Sequence, residues 1–279
     1  MAVTQAIRIY RYINEDMADP RSKDFFLMQN PLGTCALLAA YLYFTRSLGP
    51  RLMEKRKPLN IENIMRLFDL TQIVLNGYLF YMAVTVAYLG GFVSLRCGTV
   101  DYSSSATSMM VLRHVHVYFL IKVLDLFDTV FFVLRKKGNQ ISFLHVYHHT
   151  GMVFGSWICM KYFPGGHFMF PGTVNLFVHT IMYTHYLVTS LKITTPWWKK
   201  YITQLQITQF LVILLHLIQL FWEDCDFPRR SLYITLPQNF FMFALFGDFY
   251  YKTYIQKPRK AAQEENLQSE SCSDTKKDE

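Results

Sequence analysis

The chain has 279 residues, of which 52% are hydrophobic, 16% aromatic and only 17% charged, with a mean hydropathy of +0.15. A soluble domain carries roughly a quarter charged residues, so this composition excludes an ordinary soluble globule and points to an all-α, polytopic membrane protein with one helical bundle. The formal net charge of +8 gathers in a few short loops, which makes it a signal of topology and not of nucleic-acid binding.

Residues 1–25 read as an amphipathic lead-in with no short apolar core before a small-residue site, so no cleavable signal peptide is expected. Seven apolar runs follow, each long enough to cross a bilayer. Span one is predicted over about 26–48, with Pro31 in its first turns and Gly49-Pro50 closing it. A loop with Arg51, Lys55, Arg56 and Lys57 leads to span two, about 64–88, which ends at Gly90-Gly91. A longer loop carries Cys97, Asp101 and a Ser/Thr cluster. Span three, about 113–134, contains Lys122, Asp125 and Asp128, and the tight loop Arg135 to Gln140 follows. Span four covers about 141–162, Pro164-Gly165-Gly166 makes a turn, and span five covers about 168–190. Trp197-Trp198-Lys199-Lys200 reads as an interface anchor before span six, about 201–222, and span seven, about 232–255. The membrane domain is therefore 26–256, and the charged tail 257–279 is too poor in apolar residues to fold.

Seven spans place the termini on opposite sides. The loops after spans one, three and five and the tail hold most of the Lys and Arg. By the positive-inside rule the N-terminus is non-cytosolic and the tail cytosolic. The chain ends Lys276-Lys277-Asp278-Glu279. Two lysines at those positions of a cytosolic tail resemble a di-lysine retrieval signal, which implies the endoplasmic-reticulum membrane.

Chemistry concentrates in Phe143 to His149. His145, His148 and His149 share one face of a helix. A single histidine at lipid depth is ordinarily a satisfied core residue, but three on one face mark a site for metal binding or for acid–base and nucleophilic work. Lys122, Asp125 and Asp128 share a face of span three. Asn175, His179, Met182, Tyr183 and Tyr186 form a stripe on span five, and Thr203, Gln206 and Gln209 a polar line on span six. Counted from the cytosolic ends at 1.5 Å per residue, His148 lies about 10 Å deep, His179 about 16 Å and Lys122 about 18 Å. The polar groups therefore meet in the cytosolic half and can form one chamber. The bland alternative is a self-paired Lys122–Asp125 ion pair, with Gln and Thr bonding helices together. Gly151 and Gly155 read as a small-xxx-small pair admitting a neighbouring helix.

These boxes resemble the very-long-chain fatty-acid elongase family over about residues 25–260. Lys122 through Thr129 is similar to its K-x-x-E-x-x-D-T, and Phe143–His149 to its F-L-H-V-Y-H-H. Asn175 through Tyr186 is similar to N-x-x-x-H-x-x-M-Y-x-Y-Y, and Thr203 through Gln206 opens its T-x-x-Q-x-x-Q segment. Asp125 departs from the usual Glu, and His185 from the common Tyr. The resemblance implies a seven-helix bundle around an acyl tunnel that condenses acyl-CoA with malonyl-CoA to a 3-ketoacyl-CoA, CoA and carbon dioxide. It implies His148 as the acyl-accepting nucleophile and His179 as the group assisting the malonyl step. His145 and His149 would orient or relay protons, and Asp125 and Asp128 would fix tautomers. Asn175, Tyr183, Thr203 and Gln206 would bind the thioester, with Lys122 beside them. Arg135, Lys137, Gln140, Lys199 and Arg259 would hold CoA phosphates at the cytosolic mouth. No cofactor and no metal are expected. The expected partners are the bilayer and the other enzymes of the elongation cycle, with a homodimer left open.

Two further expectations concern cysteine and the rival reading. Cys35 and Cys159 fall near the non-cytosolic span ends, so no cysteine should reach the chamber. Cys97 and Cys225 both lie in loops assigned to the oxidising lumen and are the two cysteines placed to pair. The alternative is a di-iron membrane desaturase or hydroxylase, but nine histidines in total leave too few on the cytosolic side for its ligand set. A seven-span receptor or transporter would not need the histidine cluster.

Overall fold

The computed structural model describes residues 2–193, 197–222 and 224–256, all helical or irregular and without a strand. Arg259, Lys276, Lys277 and the rest of the tail lie outside the described residues.

The first helix, α1 (Ala2–Arg11), runs through a π-type turn at Tyr12–Asp16 into an irregular segment that meets the bundle. Helix α2 (Pro31–Tyr43) starts at Pro31, five residues later than expected. Asn30 caps it by accepting from Leu32 N–H at 3.0 Å, and Pro31 fills the first helical position, where no N–H is needed. Gly49-Pro50 does not end the helix. The chain winds as a π-helix over Phe44–Leu48 and goes on as α3 (Gly49–Met53). The wider winding makes room for the proline ring that would clash in a regular α-helix. Gly49 is also a point of close approach, since a Cβ there would lie 2.7 Å from Val133 Cγ1.

Helix α4 (Glu62–Met82) continues in π winding to Tyr88. Helix α5 (Ala106–Leu124) starts seven residues before the predicted span, because Ser105 caps it by accepting from Ser108 N–H. It breaks at Asp125 before α6 (Leu126–Leu134). Then come α7 (Phe143–Tyr162), capped by Ser142, and α8 (Met169–Ser190). The last two are α9 (Lys199–Ile218) and α10 (Leu232–Tyr250), the latter followed by a π stretch to Gln256. Two stretches, Glu62–Tyr88 and Lys199–Phe221, are long and apolar enough by themselves to cross a membrane. Several of the other long helices carry the buried polar side chains described below, which lower their hydropathy.

Helix α4 packs along α8, α9 lies against both α8 and α10, and α5 against α7. One apolar cluster joins Met28, Leu38, Leu112, Phe119, Val153 and Trp157. A second joins Leu217, Leu220, Phe227 and Leu232 around Cys225. The loops after α4, α7 and α9 meet at one end, where Cys97 and Cys225 form a disulfide with Cα atoms 5.6 Å apart. Gly98 and Gly166 (φ +57°) touch beside it. A Cβ on either would come within 2.9 Å of the other's backbone, so this crossing requires glycine. The loops after α3, α6 and α8 form the opposite, basic end.

Candidate active site

The break between α5 and α6 places Asp125 at the centre of a buried polar network. Its Oδ2 lies 3.1 Å from Lys122 Nζ and 3.5 Å from His179 Nδ1. Its Oδ1 accepts from Gln72 Nε2 at 2.8 Å and from the Tyr183 hydroxyl at 3.0 Å. Tyr183 also reaches Asp128 Oδ2 at 2.8 Å. Lys122 Nζ lies 3.4 Å from His179 Nδ1 and 5.0 Å over the ring of Tyr118. Lys122 and Asp125 are buried, and Tyr183 has no exposed surface. So the Lys122–Asp125 pair is real but not self-contained: four helices, α4, α5, α6 and α8, contribute to it.

Sequence reasoning missed the α4 contribution. Gln72 and Asn76 are fully buried and bonded to each other at 3.0 Å, and Asp69 is buried one turn away. The signal was present, since Asp69, Gln72 and Asn76 recur at i, i+3, i+7 in an otherwise apolar run. Tyr118 was missed too. Its hydroxyl donates to Asn175 Oδ1 at 3.1 Å, which turns the Asn175 NH₂ away from Tyr118.

The three histidines of α7 diverge in their bonding. His145 Nε2 lies 3.0 Å from Thr129 Oγ1, which lies 2.8 Å from the Tyr41 hydroxyl. The His145 and His149 rings are 4.3 Å apart and those of His148 and His149 5.6 Å apart. His148 stands edge-on to Phe210 and Phe246. Its Nδ1 is buried with no hydrogen-bond partner among the described residues.

His148 and Asn175 reach the wall of an apolar cavity of about 250 Å³ that runs from them toward the disulfide end. Tyr118, Gln209, Gln238 and Asn239 line it beside them, and Phe163, Phe168 and Leu217 lie toward its far end. Lys122, Asp125, Asp128, His145, His149, His179 and Tyr183 are not on that wall. The single expected chamber is thus two spaces, an apolar cavity and a polar network behind it. Tyr183, expected to bind substrate, stands off the cavity wall with its hydroxyl within hydrogen-bond distance of two carboxylates. Gly151 is approached by Gln238 of α10, whose Nε2 would lie 3.4 Å from a Cβ there, but Gly155 admits no helix. Both glycines line the cavity, a Cβ on Gly155 would meet nothing, and the shortage of side chain there makes the space. Cys159 also lines the cavity, contrary to expectation. It lies eleven residues beyond His148, about 16 Å along α7.

At the basic end Arg135 is half-buried and contacts Met65 Sδ at 3.4 Å, while Lys137, Gln140 and Lys199 are exposed. Thr203 is buried, and Gln206 reaches Met182 Sδ at 3.4 Å. None of these joins the Asp125 network. Among the described residues no set of three or more His, Cys, Asp or Glu side chains is arranged to hold a metal ion.

The model of the ELO family, described as GNS1/SUR4, matches residues 26–262. The chain belongs to this family. It is 42% identical to a very long chain fatty acid elongase of Aedes aegypti over 88% of its own length and 69% of that protein's. It is 37% identical to very long chain fatty acid elongase 7 of Rattus norvegicus over 94% and 95% of the two chains. Human very long chain fatty acid elongase 4 is 35% identical over 93% and 82%. The family match spans α2 to α10 and takes in every residue of the Asp125 network and the cavity. It leaves α1 outside.

Proposed function

We propose that this very-long-chain fatty-acid elongase catalyses the condensing step, joining an acyl-CoA to malonyl-CoA through an acyl group carried on His148. One observation carries the reading. His148 lines an apolar cavity and its Nδ1 has no hydrogen-bond partner among the described residues, whereas His145 is bonded to Thr129. A neutral imidazole so placed offers a nitrogen lone pair for which no protein donor competes.

His148 Nε2 attacks the thioester carbon, the C–S bond breaks, and the CoA thiolate takes up the proton given up by the imidazole. Malonyl-CoA then loses carbon dioxide, and the electron pair of the broken C–C bond becomes an enolate. The enolate carbon attacks the acyl-imidazole, the C–N bond breaks, and His148 regains a proton. The sum consumes one proton and releases one CoA and one carbon dioxide. Asn175, with its oxygen held by Tyr118, has its NH₂ free to donate to an oxyanion. His179, whose Nδ1 is fixed beside Asp125 and Lys122, presents Nε2 as the proton-handling atom of the malonyl step.

The same reading has seven spans, the acyl tail in the apolar cavity and CoA at the basic end, against Arg135, Lys137, Gln140 and Lys199. In this reading the basic end is cytosolic, supported by the positive-inside rule, and the disulfide lies in the oxidising lumen. The 3-keto product must be consumed by a reductase, which makes the other enzymes of the cycle its partners.

The test separates His148 from Cys159, the one cysteine on the cavity wall among the described residues. Protein given acyl-CoA alone, then digested and analysed by mass spectrometry, should carry the acyl mass on His148, and His148→Ala should abolish condensation. An adduct on Cys159, or near-normal product from His148→Ala, would overturn the mechanism.

A further inference from the structure

Helix α1 has no counterpart in the reaction and lies outside the family match. Val3, Ala6, Ile7, Tyr10 and Ile13 recur at i, i+3, i+4, i+7 and i+10 and make one apolar face. Thr4, Arg8 and Arg11 make the opposite face. Every residue from Val3 to Ile13 is exposed, with Val3 at 73% and Ile7 at 49%. An apolar face of that length, left uncovered by its own bundle, needs something to cover it.

The helix is not free to drift. Asn14 Nδ2 donates to Gln29 O at 3.2 Å, one residue before the cap of α2. Asp19 N–H donates to Lys161 O at 2.8 Å, and Lys161 Nζ donates to Met28 O at 2.8 Å. Arg21 pairs with Asp19 at 2.6 Å and reaches Ser108 Oγ at 2.6 Å. These bonds pin the root of α1 at the disulfide end, level with the start of the first bundle helix. Exposed aromatic side chains stand at the same end: Tyr102, Phe221, Trp222 and Tyr233. Such side chains gather where acyl chains give way to headgroups.

We propose that α1 lies in the plane of the bilayer surface at the disulfide end. Val3, Ile7, Tyr10 and Ile13 enter the boundary between headgroups and acyl chains, and Arg8 and Arg11 face lipid phosphates. Short amphipathic helices with basic polar faces bind in this way, and a pinned root removes much of the entropy cost of docking. The occupant is lipid and not protein, because the pinning holds the root of this helix where the bundle itself emerges from the bilayer. The inference rests on the bundle being embedded, not on the identity of the nucleophile.

The experiment uses the full chain with Cys35, Cys159 and Cys272 replaced by alanine and the Cys97–Cys225 bond kept. It is reconstituted in phosphatidylcholine vesicles containing phosphatidylserine. A bimane probe is placed at Ile7→Cys or at Arg8→Cys. Nitroxide-labelled lipid should quench the Ile7 probe several-fold more than the Arg8 probe, and iodide present on both sides should show the reverse order. Equal iodide access at both positions would overturn the proposal, because the helix would then lie in water. Shielding of both positions that grows with protein-to-lipid ratio would also overturn it, because the face would then be covered by a second copy. Thermal unfolding of each labelled protein shows whether the bundle is intact, independently of the quenching.

Discussion

Two buried lysines do different things, Lys122 midway along α5–α6 and Lys161 at the disulfide end. Lys122 has 1% and Lys161 2% of its surface exposed. Lys122 meets side chains: a carboxylate, an imidazole and a tyrosine ring. Lys161 meets backbone, donating to the carbonyls of Met28 and Gln29. The contrast extends to their surroundings. Around Lys122 the bonds run from side chain to side chain across helices. Around Lys161 many run from side chain to backbone: Trp157 to Leu27 O, His116 to Phe26 O, His167 to His216 O and Tyr102 to Tyr162 O, with the Arg21 bonds to Asp19 and Ser108 as exceptions. A side chain spent on a carbonyl satisfies a loop that could not otherwise be buried. Side chains spent on each other leave a charged group with donors and acceptors that can change partners during a reaction. The first pattern builds a closed end and the second a working one.

Lys122→Met is the largest expected break. Product formation should fall by roughly two to three orders of magnitude, the size seen when one preorganised electrostatic group is removed. Acyl labelling of His148 should fall less, because Lys122 is not on the cavity wall. Next comes the disulfide. Cys97→Ser with Cys225→Ser opens a crosslink spanning 128 residues and should lower stability by about 2–4 kcal/mol, read as thermal unfolding in detergent, with turnover per folded molecule kept. Lys161→Met should be milder still, about 1–3 kcal/mol for the Met28 carbonyl left without its donor, since Gln29 O keeps Asn14, and again without a direct loss of rate. If Lys161→Met lost turnover as severely as Lys122→Met while staying folded, the division into a working end and a closed end would fail.

The working end was legible because its chemistry is periodic. Histidines at i, i+3, i+4, the Lys122–Asp125–Asp128 run and the stripe from Asn175 to Tyr183 all announce a face. Their depths follow from counting residues. What could not be read was which of these groups faces the cavity. Tyr183 and Asn175 lie on the same stripe, yet one is spent on carboxylates and the other lines the cavity. That choice depends on Asp125 breaking the helix and on Gln72 reaching it from α4, neither of which periodicity reveals. The span ends were misread where caps decide, at Asn30-Pro31 and Ser105, and where π winding carries the helix past Gly49-Pro50. The closed end was mostly illegible, since bonds to backbone carbonyls leave no pattern in the side chains. Cys97 and Cys225 were the exception, because compartment and topology restrict where a cysteine can find a partner.

The smallest prediction belongs to the closed end and concerns pH. His167 sits in the turn Gly166–Phe168, outside the long helices, with 1% of its surface exposed. Its ring stacks on His216 at 4.0 Å, and its Nε2 lies 3.1 Å from His216 O. Burial lowers its pKa below the ordinary 6.5, and the contact with the His216 carbonyl offsets part of that. The unfolded chain therefore takes up a proton on this residue at a higher pH than the folded one does. By linkage the fold gains stability as pH rises, with the full contribution present above the unfolded value and lost as pH falls through and below 6.5. Thermal unfolding of the purified protein should show a midpoint that drops on acidification from neutral toward pH 5, and His167→Asn should flatten that slope while lowering the midpoint at neutral pH. Bonds at the working end should leave this difference between the two proteins untouched, so the same subtraction made in a Lys122→Met background should give the same pH-dependent loss. A different loss there would mean that the two ends titrate as one network, and the separation drawn from Lys122 and Lys161 would not hold.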